Sequence, residues 1–470
     1  MSHGIQYSAN PNFEETKASD RSSFIILLLA IMAILAFLYI AWPAWRAQWP
    51  MEIDRNEGWN ALQIDRLRGN LPLYPSADAL IVNNYPPLSF ILIRCIADFG
   101  IDPLYVGRIL SLLSTLTAAL GIAAIIAHFQ GGLRAVAAGS LWYLATMSRF
   151  FDSYVGMNDP NLLGLAVMIW AFSWALRVQA KGGMIEAPFI LMVAAGFCKH
   201  TLFAVPCCAF LWLLNADWRL ALRGGIAGGA AAIGGLVICS AFYGPAFFEQ
   251  LTMPRIMHAH RLVAGFGRLQ WIIPAFIIWA VWAWDRRRTE QARFTVLFVI
   301  FGIFDHALQQ LGDEIDDNSQ FELIAALAVG IGLAFEFATP NQRLRLSAMT
   351  NRAILLIILI VRLLLNSRIE PYLLIASEQF RKIGPDSAAI VQREVRRISE
   401  IHGDVSCSIM TVCHFAGKRF AFDGFAIGQR NALAGVSLPL EKTPGAEQIH
   451  FESIDPNASM KPFENAARFR

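Results

Sequence analysis

Three carboxylates crowd the run Glu52-Ile53-Asp54-Arg55-Asn56-Glu57-Gly58-Trp59, directly after a long apolar stretch. A carboxylate at such an edge can take a proton from an incoming hydroxyl. Low dielectric and neighbouring acids raise its pKa toward a useful range. The same run also reads as a polar helix cap, with Asp54 or Asn56 as N-cap. A second acid sits in Tyr154-Val155-Gly156-Met157-Asn158-Asp159-Pro160, before a proline that opens an apolar run. Asp159 suits N-capping, and it also suits an acid that faces Asp54 across one cavity.

Cations that can hold an anion come later. Lys199, in Phe197-Cys198-Lys199-His200-Thr201, separates two apolar runs. A lysine there is costly unless it pairs or meets a ligand anion such as phosphate; snorkelling to the interface is the alternative. Residues 244–270 carry Arg255, His258, His260, Arg261 and Arg268. The two histidines are a weak metal pair at this spacing and suit hydrogen bonding better. The run Asp313-Glu314-Ile315-Asp316-Asp317-Asn318-Ser319-Gln320-Phe321-Glu322 suits a divalent cation, sugar hydroxyls or plain solvation, and Glu322 stands out at the entrance to an apolar run. No cofactor or metal site is assigned, although a divalent metal is compatible with this acidic run.

The elements that position these groups are membrane spans. The chain is 56% hydrophobic and only 16% charged, where soluble domains carry about a quarter charged residues. A scattered net charge of +3 excludes nucleic acid as the partner. Eleven apolar segments follow one another: 24–45, 104–128, 133–150, 160–178, 186–198, 200–214, 224–243, 270–284, 294–311, 321–338 and 353–366. Each is near the length a crossing needs, and the short ones must lie among neighbours. Residues 86–99 are apolar but too short to span, and read as a helix lying at the interface. Residues 186–214, interrupted at Lys199 and His200, read as two short crossings.

Arginines set the orientation. Arg286, Arg287, Arg288 and Arg293 fall in one short loop, and Arg343, Arg345 and Arg352 in another; both belong in the cytoplasm. Residues 1–23 are then a cytoplasmic leader with no cleavable-signal pattern. The first loop, 46–103, and the tail, 367–470, lie outside. In the tail, 387–402 has helical spacing, 405–412 and 419–422 read as strands, and residues from 439 onward look loosely held. Cys407 and Cys413 can pair if the tail meets an oxidising compartment, or stay reduced.

Taken in order, these motifs resemble the GT-C superfamily of membrane glycosyltransferases, which includes protein mannosyltransferases and aminoarabinose transferases. The likeness runs through the Asp54 to Glu57 turn, Arg68-Gly69-Asn70-Leu71-Pro72-Leu73-Tyr74, Asn84-Tyr85-Pro86-Pro87-Leu88, Gly107-Arg108-Ile109-Leu110-Ser111, Asn158-Asp159-Pro160 and Lys199-His200-Thr201. It covers residues 24–366 and, loosely, the tail. The resemblance implies an all-α polytopic fold of about eleven transmembrane helices, with interfacial helices in the first outer loop and a small C-terminal α/β periplasmic domain. It implies an inverting hexosyl- or pentosyltransferase of the bacterial inner membrane. The donor is a polyprenyl-phosphate-linked sugar and the acceptor a lipid or glycan of the cell envelope. Asp54 is then the base with Glu57 as rival, Asp159 assists, and Lys199 with Arg255 or Arg261 holds the carrier phosphate. His200, His258, His260, Tyr85, Asn318 and Glu322 are the remaining substrate contacts. Glu52-Ile53-Asp54 fits the family's spaced pair of acids, while Asp54 and Glu57 are three apart, so the choice of base stays open. A transporter or flippase of lipid-linked saccharides is the alternative, although no internal repeat is visible. A reporter fused after Asp159 is expected to report the periplasm; a cytoplasmic signal would place the two acids on opposite sides.

Overall fold

The computed structural model describes residues 11–467, apart from residues 77, 314, 341–345, 366–368 and 437. Residues 1–10 of the expected leader, Glu314, Arg343 and Arg345 lie outside the described residues. The helices begin with α1 (Pro11–Arg46), α2 (Arg55–Arg68), α3 (Leu88–Ala97), α4 (Pro103–His128), α5 (Leu133–Phe150), α6 (Pro160–Lys181) and α7 (Glu186–Cys198). There follow α8 (Ala204–Ala216), α9 (Trp218–Tyr243), α10 (Ala246–Leu251), α11 (Arg261–Arg268), α12 (Ile273–Asp285), α13 (Glu290–Gln310), α14 (Phe321–Glu336) and α15 (Ala348–Leu364). The tail holds α16 (Glu370–Ala376), α17 (Glu378–Ser399), α18 (Met410–Phe415), α19 (Gly424–Leu433) and α20 (Lys461–Ala467), with strands β1 (Asp404–Cys407) and β2 (Ile449–Glu452).

All eleven apolar segments fold as helices, and the protein is an all-α bundle with a small mixed tail. Among the described residues six helices are long and apolar enough to cross a bilayer, or seven if the pair α11–α12, bent by 85°, is one span. The other apolar helices are shorter. At 10 residues, α3 rises about 15 Å, half the hydrocarbon thickness. The expected leader is helical from Pro11, so residues 11–23 are the first turns of α1. The central helix is α14: 94% of its apolar window is buried, against 11% for α9, which therefore lies at the periphery.

Buried ion pairs fix the C-terminal end of α1 and the N-terminal part of α4. Arg108 of α4 donates to both oxygens of Glu57 on α2, at 3.0 and 2.6 Å. The same guanidinium also donates to the carbonyls of Ala47, Trp49 and Met51. Both side chains are fully buried. Arg46 pairs with Asp152 at 3.2 Å, and Trp42 Nε1 donates to that carboxylate at 3.0 Å.

The tail differs from the sequence expectation in three places. The predicted strand 405–412 is cut short, because the Cys407–Cys413 disulfide turns the chain back and α18 begins at Met410. Residues 419–422 are irregular rather than a strand: Arg419 is tied to Asp404, while Phe420 and Phe422 are buried. The stretch expected to be loose instead supplies β2, parallel to β1, and Phe463, which packs against Trp42 at 5.3 Å between ring centres. Trp42 and Met51 share one apolar cluster with Phe380, Val405, Val412 and Phe463, so the tail's core is continuous with the C-terminal end of α1. Truncating one partner of a buried pair leaves the other uncompensated, at a cost of about 3–5 kcal/mol. Arg108→Ala is therefore expected to lose about that much stability, read as a lowered melting temperature in detergent; an unchanged melt would refute the pinning role.

Candidate functional site

A cavity of about 460 Å³ opens where the N-terminal turn of α2, the 82–85 loop, the 199–203 turn, the 251–257 segment and the end of α13 meet α18 and α19. Local capping places the acids beside it. Asp54 is the N-cap of α2, its Oδ1 accepting the Asn56 N–H at 2.8 Å. Among the described residues its other oxygen has no protein donor. Its neighbours Arg55 and Asn56 line the cavity. Burial pushes its carboxyl up to about 6, with smaller contributions from Asp316, Glu57 and Asp159. Asp159 caps α6 through the Asn161 N–H at 2.8 Å. Asp316 lines the cavity and accepts from Tyr154 Oη at 3.1 Å. The capping reading of Asp54 and Asp159 is what the geometry shows; neither is in the cavity lining, although Arg55, Asn56, Tyr154 and Asp316 beside them are.

The opposite wall is cationic. Lys199 is only 3% exposed, yet it lines the cavity and has no carboxylate partner among the described residues. Its ammonium lies 3.5 Å from the centre of the Tyr85 ring. Arg255 stacks over Phe425 at 5.6 Å and also lines the cavity. Burial, then Lys199 and Arg255, press His200 down to about 4, so its imidazole is neutral near pH 7. The turn that carries Lys199 and His200 is held by Glu322, which accepts the N–H groups of Phe203, Ala204 and Val205 at 3.1, 3.1 and 2.8 Å.

A second cavity of about 540 Å³ adjoins the first at His200 and Leu251. It is apolar and runs between α7, α8 and α9, past Phe189, Phe197, Phe210 and Leu236. Gly229 leaves it open, since a Cβ there meets nothing within 4 Å. The peripheral position of α9 puts this groove at the lipid-facing side of the bundle.

Tyr85, Lys199, His200, Arg255 and Asn318 are thus brought to one cavity. Other sequence candidates are placed elsewhere. Glu57 is spent on Arg108. Glu322 is buried behind the turn as its cap. Arg261 pairs with Asp313 and donates to the Gly312 carbonyl. His258 and His260 are exposed and away from the lining. Among the described residues no three His, Cys, Asp or Glu side chains converge to hold a metal ion, and no step is routed through one.

The sequence reading missed the tail's contribution. Met410, Asp423, Phe425 and Gln429 line the cavity, and Trp59 Nε1 donates to Asp423 at 2.8 Å. It also passed over Tyr154 and Asp316, which were visible only as members of polar runs. Asp423 before Gly424 signals a helix cap, and nothing in sequence joins it to Trp59.

No protein-family profile and no curated protein matches the chain. Solved structures do. ArnT from Cupriavidus metallidurans bound to undecaprenyl phosphate superposes with a TM-score of 0.56 at 14% identity, covering 85% of each chain. Its apo state gives 0.56 at 13% identity over 89% of each chain. An oligosaccharyltransferase from Archaeoglobus fulgidus, tethered with an acceptor peptide, gives 0.49 at 11% identity, over 85% of this chain and 64% of that one. The fold of this chain is thus that of ArnT. Carbodiimide reacts with protonated carboxyls, so its labelling of Asp54 is expected to fall as pH rises through about 6. Labelling already lost near the ordinary aspartate value would contradict the burial of this acid.

Proposed function

We propose that this chain is an inverting glycosyltransferase that moves a sugar from a polyprenyl-phosphate carrier to a cell-envelope acceptor. The observation that carries the reading is the unpaired, buried Lys199 at the junction of a polar cavity and an apolar groove. A buried ammonium without a carboxylate is costly unless an anion comes to it. A molecule with an anionic head and a long apolar tail satisfies both cavities at once. Undecaprenyl phosphate, bound in the ArnT structure, is of this kind.

In this reading Lys199 and Arg255 hold the carrier phosphate, and neutral His200 donates a hydrogen bond to it. The polyprenyl chain lies in the groove beside Gly229. The sugar occupies the polar cavity, facing Trp59, Asn84, Asp316 and Asn318. Asp54 takes the proton of the acceptor hydroxyl as its oxygen bonds to the anomeric carbon. The bond from that carbon to the phosphate oxygen breaks, and its electron pair leaves with the polyprenyl phosphate. One displacement inverts the anomeric centre. The cations stabilise the phosphate charge as it develops, in a site where low dielectric strengthens them. Asp159 supports Asp54 by raising its proton affinity. The ion pair of Glu57 with Arg108 supports giving the role of base to Asp54 in this reading.

The outward placement of the site follows from the arginine loops, and the Cys407–Cys413 disulfide supports it, because such bonds persist in oxidising compartments. The sugar can be a hexose or a pentose. In membranes supplied with a labelled polyprenyl-phosphate sugar, Asp54→Asn is expected to cut transfer about 10²–10⁴-fold while the protein still inserts. Wild-type transfer is expected to rise with pH through about 6, and Lys199→Met to raise the donor KM. Wild-type-like turnover by Asp54→Asn would remove the base, and donor movement without sugar transfer would favour a flippase.

A further inference from the structure

His414 of α18 stands outside the cavity and is tied to nothing in the mechanism. Its side chain is 4% exposed. Nδ1 lies 2.5 Å from Asp65 Oδ2, near the end of α2, and Nε2 lies 3.0 and 3.1 Å from the two oxygens of Asp102, the N-cap of α4. Both ring nitrogens therefore donate to carboxylates, and only the imidazolium can do so. Asp65 and Asp102 are acids on separate elements that meet across this one ring.

The consequence reaches the site through α2. At its start, Glu57 is fastened to Arg108 of α4. Near its end, Asp65 is fastened to the α4 N-cap through His414. The two ties are eight residues apart, about 12 Å along the helix. Between and beside them lie Asp54, Arg55, Asn56 and Trp59. The segment that holds His414 also carries Met410, in the cavity wall, and Thr411, whose N–H donates to Glu52 at 3.0 Å. The two helices are in close contact: a Cβ on Gly58 would meet the Met410 Cβ at 2.6 Å and the Thr411 nitrogen at 2.8 Å.

We propose that His414 is a positioning residue: as an imidazolium between Asp65 and Asp102 it clamps the tail onto α2 and α4, and so sets the cavity wall beside Asp54. The two carboxylates alone would repel, so losing the charge opens the joint rather than merely loosening it. The groups that act on His414 are Asp65 and Asp102, while Arg68 acts on Asp102 from the end of α2. Burial alone would lower the His414 pKa; the two carboxylates outweigh it and push it up to about 9. The folded value lies above the ordinary one, so the clamp is complete below about 6.5 and is lost as pH rises through about 9.

The test uses the full chain in lipid nanodiscs, with two readouts from about pH 7 to about pH 10.5: sugar transfer, which rests on the transferase reading, and amide hydrogen exchange of α2 taken relative to the intrinsic base-catalysed rate at each pH, which does not. Wild-type transfer is expected to fall, and α2 exchange to rise, through about pH 9. His414→Gln is expected to lower transfer about tenfold at neutral pH and to raise exchange. Asp65→Asn in that background should recover part of the loss, because the facing charges are gone. His414→Lys should keep transfer and move the alkaline limb upward, because the bridging charge persists to higher pH. Should His414→Gln fail to fold, the lysine variant and the double variant carry the test. Equal impairment of the lysine and glutamine variants, or α2 exchange that ignores both pH and His414→Gln, would overturn the clamp. Absent wild-type transfer with pH-dependent exchange would overturn the transferase reading and leave the clamp standing.

Discussion

The buried Glu57–Arg108 pair is the constraint on which the site geometry depends. Arg108 spends its guanidinium on both oxygens of Glu57 and on three carbonyls in the bend after α1. The chain leaving the first span is thereby bound to the start of α4, and α2 begins at a fixed place. Such a pair adds little net stability over an apolar substitute, because desolvation offsets the attraction. What it supplies is direction: a guanidinium fork meets its acceptors in one geometry. Asp54 sits three residues before Glu57, so the position of the cap follows from the position of the pair.

From that fixed start the site divides by charge. Acids gather at the starts of α2 and α6, and this is favourable, since Asp54 and Asp159 accept N–H groups that the helices leave without an internal partner. Cations gather on the far wall, on a turn that cannot satisfy its own backbone. Glu322 satisfies it from below, which lets Lys199 point at the cavity and not at a nearby acid. Glu322 is thus committed to backbone amides, and among the described residues the ammonium has no carboxylate partner.

The tail completes the enclosure. Asp423, Phe425 and Gln429 close one side of the cavity, and the tail's core runs into the C-terminal end of α1 through Trp42 and Met51. The Trp59–Asp423 hydrogen bond and the His414 bridge hold two stretches of tail to α2 and α4, and the Cys407–Cys413 bond closes the turn beside His414. The site is a joint between membrane bundle and tail.

Much of this was legible in sequence, and for local reasons. Apolar length marks a buried or lipid-facing helix, so all eleven segments appear as helices. Asp before Pro or before a helical run marks a cap, so Asp54 and Asp159 were found. A lysine between apolar runs marks an unusual need, so Lys199 was found. The errors are equally physical. Glu57 and Glu322 have the composition of site acids, but one meets an arginine 51 residues away and the other meets amides 117 to 119 residues away. The strand pattern of 405–412 gave way to a disulfide turn. By itself the sequence determined the helices, their caps and the residues that must find partners, because these depend on neighbours within a few positions. Only the tertiary structure decided which partner each charge takes, because that depends on contacts between segments far apart in the chain.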